Sequence, residues 1–169
     1  MGVVLSWGEP TLFTKKKGEQ TWKKVDYTPV EGSTTLETTE GTKTEAKVEG
    51  GENEAVRYAK NTYVLNTQFR YAEGRTRPIQ TEDGLTTDQY SLILIPENIA
   101  APALYIENSN VHSTDSYTSA DGGMIQYKFD ALKATKGDQI KWGTAKLDGS
   151  SNLPTSFIEL GGSENLIGE

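Results

Sequence analysis

The chain has 169 residues, enough for one globular domain, with 34% hydrophobic residues and a mean hydropathy of -0.59. Its apolar runs are short and interrupted by proline, which excludes a membrane-spanning helix, so we expect no contact with a membrane. Seventeen basic residues against 24 acidic ones give a net charge of -7 and a pI near 4.9, which disfavours specific binding to nucleic acid.

Composition divides the chain into three predicted parts. Residues 1–20 contain a proline and a run of three lysines and are predicted to form an N-terminal arm. Residues 21–147 form a single domain, and residues 148–169, rich in Gly, Ser, Asn and acid, form a C-terminal arm. In the first arm, Trp7, Leu12 and Phe13 need a surface that covers them, either the core of the same chain or a neighbouring subunit.

The first half of the domain shows strand patterns. Residues 21–30 and 33–39 are predicted to be a strand pair broken by Glu31-Gly32. Residues 42–49 alternate with period two, so we expect the face of Thr44, Ala46 and Val48 to meet the core. After Gly50-Gly51, residues 52–58 fit either a short strand or one helical turn.

The second half continues the same pattern. Residues 62–71 alternate strongly, residues 89–95 suit a strand buried on both faces, and residues 103–107 form another short strand. In residues 124–134 the set with Ile125, Tyr127 and Phe129 is predicted to face inward. Residues 139–145 are its predicted hairpin partner across Lys136-Gly137-Asp138.

Helical signals are few. Residues 156–159 have the spacing of a capping box and predict at most a turn or two of helix, and residues 81–88 are the other place for a helix. The sequence therefore predicts a mainly β fold, a single-domain sandwich or barrel of about seven or eight antiparallel strands with little helix.

The residues that carry catalysis are scarce. There is no cysteine, which excludes thiolate metal sites and cysteine nucleophiles. The one histidine, His112, precedes Asp115 and Asp121 in a predicted loop over residues 112–123, without a serine at a nucleophile elbow. We expect no catalytic, metal or cofactor-binding residue, no cofactor and no enzyme activity.

Two basic clusters are the candidates for a nucleic-acid-binding site. Residues 15–17 with Lys23 and Lys24 surround Trp22, and Arg70, Arg75 and Arg77 form the second cluster. The acidic balance of the whole chain opposes both.

The order of these pieces resembles a known family. A lysine- and tryptophan-containing strand precedes a Thr/Glu-rich stretch at residues 30–41 and a strand at residues 44–51. The long strand at residues 63–71 follows, and the stretches at residues 127–133 and 141–144 close the domain. In this order and texture the chain resembles the tail tube, or major tail, proteins of tailed phages and prophages.

The resemblance implies a β-sandwich that assembles into hexameric rings, stacked into a hollow tube for genome passage. The partners are then other copies of the chain and other tail proteins, with DNA only as non-specific passing cargo. The expected location is the virion tail, after assembly in the cytoplasm of a bacterial host. An acidic lumen suits this task, because like charge keeps DNA from sticking.

Carried onto this chain, the resemblance makes residues 31–41 the loop between rings and residues 1–20 and 148–169 the arms that reach neighbouring subunits. The residues predicted for the loop are Glu31, Thr34, Leu36, Glu37 and Glu40. Glu45 and Glu49 are predicted to face the lumen. The competing interpretation is that Lys43 and Lys47 merely pair with them across the sheet.

A second class of function is a carbohydrate- or surface-binding β-sandwich module. Tyr, Trp and Asn on exposed strands suit stacking on sugars. The absence of a signal-peptide pattern at the N-terminus and of disulfides argues against it.

Overall fold

The computed structural model describes residues 2–162 and the backbone of residues 164–166. Over these residues the chain forms strands and no helix, and every strand pairing is antiparallel, so the predicted mainly β class is confirmed. The strands are β1 (Thr11–Lys16), β2 (Lys23–Lys24), β3 (Thr35–Thr39), β4 (Lys43–Lys47), β5 (Asn53–Tyr58), β6 (Thr62–Arg70), β7 (Leu85–Ile95), β8 (Ala103–Thr118), β9 (Gly122–Ala131), β10 (Ile140–Leu147), β11 (Pro154–Glu159) and β12 (Glu164–Leu166).

Ten of these strands form one branched sheet, and β4 and β5 form a separate two-stranded sheet. The main path runs β12-β11-β10-β8-β7-β1-β2, and the branch β9-β6-β3 leaves it at β8. Residues 103–106 of β8 pair with β10, whereas residues 109–118 pair with β9. Strand β7 pairs with one edge of β8, so β10 and β9 share the other edge along successive stretches. The two strands diverge from there, and the sheet splits into two layers.

A bulge in β8 marks the branch point. Tyr90 pairs with Ser109 and Leu92 pairs with Ile106, so β8 has one residue more than β7 over this interval. The Ser109 hydroxyl donates to the carbonyl of Tyr90 at 2.8 Å, and the Ser91 hydroxyl donates to the carbonyl of Glu107 at 2.6 Å. Ser109 has no exposed surface, and these two bonds join β7 and β8 across the bulge.

At the centre of the fold, residues 12–14 of β1, 91–95 of β7 and 103–106 of β8 are covered on both faces, as the apolar run at residues 89–95 predicts. Successive residues of a strand point to opposite faces, and here they enter two different clusters. The first cluster contains Leu12, Leu65, Phe69, Ile79, Leu92, Leu104, Ile106, Val111, Ile125, Tyr127, Phe129 and Ile140. The second contains Phe13, Trp22, Ile93, Ile95, Ala103, Tyr105, Ala145 and Phe157. The first joins the two layers of the branched sheet, and the second packs on the other face of its centre.

Two predicted strand pairings and one predicted buried face are wrong. Strand β10 pairs with β8 and β11, not with β9, so residues 132–139 connect two layers and are not a tight hairpin turn. Residues 21–30 contribute only β2, which pairs with β1, whereas β3 pairs with β6. The face of Thr44, Ala46 and Val48, expected to meet the core, is exposed.

Three predicted local structures are also wrong. The capping-box residues 156–159 form part of β11, because pairing with β10 and burial of Phe157 stabilise an extended chain there. Residues 112–118 of the predicted loop are the far half of β8. Residues 81–88 form a turn closed by an isolated bridge between Glu82 and Leu85, followed by the start of β7.

Both predicted arms are shorter in the structure than in the sequence-based division. The N-terminal arm extends only to Pro10, since β1 begins at Thr11 and buries Leu12 and Phe13 in the core. In the C-terminal arm, β11 adds to the main sheet and Phe157 is 1% exposed. Residues 1, 163 and 167–169 of the predicted arms lie outside the described residues.

Two buried tyrosines make the fold sensitive to alkali. Burial raises the pKa of Tyr105 and of Tyr127 to about 12. In the unfolded chain these phenols titrate near pH 10, so the folded state retains their protons at higher pH. Their contribution to stability is therefore complete below pH 10 and is lost as the pH rises through 12.

We expect each tyrosine to lower the free energy of unfolding by about 1 kcal/mol between pH 8 and pH 11, measured by urea denaturation. Tyr105→Phe should remove one such loss. Tyr117→Phe is the matched control, because that ring is 77% exposed. An equal pH dependence in wild type and Tyr105→Phe would contradict the assignment.

Candidate assembly surfaces

The chain between β3 and β6 forms a projecting hairpin, here called the arm and comprising residues 40–61. Strands β3 and β6 are paired as far as Thr39 and Thr62, and β4 and β5 continue the hairpin beyond them. At the base, the Ala59 amide donates to the Thr42 carbonyl at 2.9 Å. Gly41 is required there, because a Cβ at that position would lie 1.9 Å from the Ala59 carbonyl oxygen.

Both faces of the arm are exposed. Every residue of β4 and of β5 is exposed, and within the described residues neither strand pairs with anything but the other. Val48, Val56 and Tyr58 are 44%, 43% and 66% exposed. A two-stranded hairpin without a further layer is marginally stable in water, so the arm has surfaces that suit a partner.

The charges of the arm are divided between its middle and its tip. Glu45 is bound by two lysines of its own strand, Lys43 at 2.8 Å and Lys47 at 3.5 Å. Lys43 and Lys47 thus pair with Glu45, as the competing interpretation predicts, but along β4 and not across the sheet. Around the turn, Glu49 and Glu52 make no ion pair with any described residue.

The residues predicted for the inter-ring loop lie in three settings. Glu31 is in the turn before β3, and the Thr34 hydroxyl is 3.1 Å from that of Thr67. Leu36 and Glu37 belong to β3, where Leu36 packs against the first core cluster. Glu40 begins the arm. Residues 31–41 thus contain β3, an edge strand of the main sheet, and the projecting element is the arm that begins at Glu40.

The N-terminal segment places its apolar side chains in solvent. Trp7 is 72% exposed and Val3 is 87% exposed, whereas the Ser6 hydroxyl donates to the Pro102 carbonyl at 2.6 Å. Of the three N-terminal residues predicted to need a covering surface, only Trp7 is exposed, because Leu12 and Phe13 are core residues.

A groove lies beside the base of the arm, with a volume of about 750 Å³. One wall is formed by residues 59–63 and the other by residues 133–139, the connection between β9 and β10. Lys60, Lys133 and Lys136 line it, together with the carboxylate of Asp138. This groove has no signal in the sequence, because its walls are far apart along the chain and neither carries a local motif.

Glu107 holds the second wall in place. Its carboxylate accepts hydrogen bonds from the amide and the hydroxyl of Thr135, and the Lys141 ammonium lies 3.4 Å from it. Glu107 lies in the bulge of β8, so the connection between β9 and β10 is fixed to the branch point of the sheet. The groove is therefore preformed in the single subunit.

The predicted basic clusters are engaged in local contacts. Trp22 is 2% exposed, with the Lys15 ammonium 5.2 Å from its ring centre, so this tryptophan is not a surface for stacking bases. Arg75 lies over the ring of Tyr27, and Arg77 pairs with Asp115 at 3.8 Å.

No catalytic constellation emerges among the residues that the structure describes. His112 is exposed on β8, and no group of three or more His, Cys, Asp or Glu side chains is arranged to hold a metal ion in that part of the chain. The expectation of no enzyme activity stays a prediction.

Comparison of the chain with protein-family models and with curated proteins gives no match. Within the described part of the chain, no helix has the length and apolar composition of a membrane span.

Proposed function

We propose that this chain is a structural subunit that polymerises with copies of itself into the tube of a phage or phage-derived tail. In this proposal the subunits form hexameric rings, the rings stack, and DNA passes through the lumen without specific recognition. Other tail proteins are the remaining partners, and assembly takes place in the cytoplasm of a bacterial host before the protein becomes part of the virion.

The observation that carries the proposal is the arm. Twenty-two residues, 40–61, leave the body of the fold, and all residues of the two strands are exposed. Unpaired strand edges and uncovered β surface favour pairing with another chain. A repeated assembly supplies a partner for every copy at once.

The acidic balance of the chain also supports this proposal. A net charge of -7 favours repulsion of the DNA backbone along a conduit. The lumen positions predicted for Glu45 and Glu49 stay predictions, and Glu45 is the weaker of the two because two lysines offset its charge.

Negative-stain electron microscopy of concentrated protein, with light scattering for mass, tests the proposal. We expect rings with sixfold symmetry or hollow filaments that lengthen as the protein concentration rises. A single monomeric species at every concentration, also in the presence of preformed tail tips, would contradict it.

The alternative is a carbohydrate- or surface-binding β-sandwich module. Trp7, Tyr117 and Trp142 are exposed by 72%, 77% and 42%, as a sugar-stacking site would need. None of these rings lines the groove at the base of the arm. Binding of the monomer to a glycan panel, lost in Tyr117→Ala or Trp142→Ala, would favour this alternative.

A further inference from the structure

The groove at the base of the arm carries uncompensated positive charge. Lys60, Lys133 and Lys136 are exposed, and no carboxylate of a described residue lies within ion-pair distance of any of them. Asp138 is the one carboxylate among the residues that line the groove. Three ammonium groups against one carboxylate favour an acidic ligand at this groove.

The groove also contains a buried polar atom without a hydrogen-bond partner. The amide oxygen of Gln139, which lines it, is buried and has no partner among the described residues. An unpaired buried acceptor lowers stability, because it has given up its bonds to water without replacement. A docked segment that supplies a donor, with a small rearrangement of this side chain, would remove that cost.

The tip of the arm has the complementary charge and a narrow shape. Glu49, Glu52 and Glu54 surround the turn, are exposed, and form no ion pair with a described residue. The turn itself is Gly50-Gly51, with φ of +96° and +89°. Two glycines without side chains make a slender end flanked by three carboxylates.

The tip of an arm is too far from the groove of its own chain. Lys43 stands at the base and Gly50 at the turn, and seven residues of extended chain span about 23 Å. The groove lies at the base, beside Lys60. The tip and the groove can therefore meet only between two copies.

We propose that the acidic tip of one copy's arm, residues 49–54, docks in the lysine-lined groove of the next copy. This inference rests on the proposed function, since it names the contact through which the subunits associate. It assigns Glu49 to a contact between copies and not to the lumen. A contact between two different surfaces of the same chain is heterologous, so it leaves each copy free to bind a further one and propagates.

Reversal of charge on each side, followed by mixing, tests the contact. We expect Glu49→Lys/Glu52→Lys/Glu54→Lys and Lys60→Glu/Lys133→Glu/Lys136→Glu each to raise the critical concentration for assembly at least tenfold. Mixing the tip variant with wild-type protein should not restore its assembly, because its lysine tips still meet lysine-lined grooves. A single chain that carries all six reversals should assemble again, because opposite charges face each other once more.

Matched controls are Glu73→Lys and Lys128→Glu, exposed residues outside both surfaces, which should assemble as wild type does. Circular dichroism shows whether each variant is folded. Normal assembly by either triple variant, or failure of the folded six-residue variant to recover, would overturn the docking. So would Lys60→Glu/Lys133→Glu/Lys136→Glu protein that assembles normally but loses binding to duplex DNA.

Disulfide trapping separates this inference from the proposed function. The chain has no cysteine, so Glu52→Cys and Lys136→Cys introduce one thiol each. Oxidation of the mixed variants should give the heterodimer well above the homodimers that each variant forms alone. Tubes without this heterodimer would contradict the docking but not the tube proposal. The heterodimer in a protein that never forms tubes would support the docking and contradict the tube proposal.

Discussion

Replacement of Trp22 by alanine should lower the free energy of unfolding by about 3–5 kcal/mol. Trp22 lies in the connection before β2 and is 2% exposed. Its ring meets Tyr105 edge to face, with centres 6.3 Å apart and planes at 74°. It belongs to the second core cluster with Phe13 and Phe157, so its removal opens a cavity where three parts of the chain meet.

Urea denaturation followed by circular dichroism measures this loss, which is a large fraction of the 5–15 kcal/mol typical of a domain. Trp7→Ala is the matched control. That side chain is 72% exposed, and we expect a change within about 0.5 kcal/mol. Equal effects of the two substitutions would show that Trp22 does not close the second cluster.

Excision of the arm should abolish assembly and leave the body folded. In the variant, residues 40–61 are replaced by Asn-Gly, so that the last pair, Thr39 with Thr62, is joined by a two-residue hairpin turn. Since no arm residue belongs to either core cluster, the free energy of unfolding should change by less than about 1 kcal/mol. Filament formation, read by electron microscopy and light scattering, should disappear.

Thr42→Ser, which keeps the arm, is the control for this excision. Filaments formed by the shortened protein would contradict the assignment of the arm as the assembly element. Deletion of residues 31–41, the stretch that the resemblance makes the loop between rings, is a poorer test. It removes β3 together with Leu36, which packs against the first core cluster, so a loss of assembly would not be separable from damage to the sheet.

The periodic stretches were predictable from sequence because their signal is local. In β9, Ile125, Tyr127 and Phe129 alternate with polar residues and are buried as predicted. In β7, the apolar run to Ile95 correctly predicts burial on both faces. Which side chains of such a strand are buried follows from the alternation of apolar and polar residues, so it can be predicted without knowing the partner strand.

The candidate site was predictable only in part. The alternation at residues 42–49 predicts a strand, but residues 52–58 fit a strand or a helical turn equally, and neither pattern shows that the strand leaves the core. The signal that was available is size: Thr44, Ala46 and Val48 offer little apolar surface to bury. The lysine groove carries no such signal. Lys60 and Lys133 lie in two connections far apart in the sequence, and only the fold brings these connections together.

By itself, the sequence determined the β class, the strands with a strong period of two, and the acidic, cysteine-free composition. The tertiary structure decided which strands pair. The bulge at Glu107 sends the two halves of β8 to different partners, and pairing with β10 makes a strand of residues 156–159 despite their capping-box spacing. The reason is physical: a strand's faces follow from neighbouring residues, whereas its edges are satisfied by chain segments whose approach depends on the whole fold.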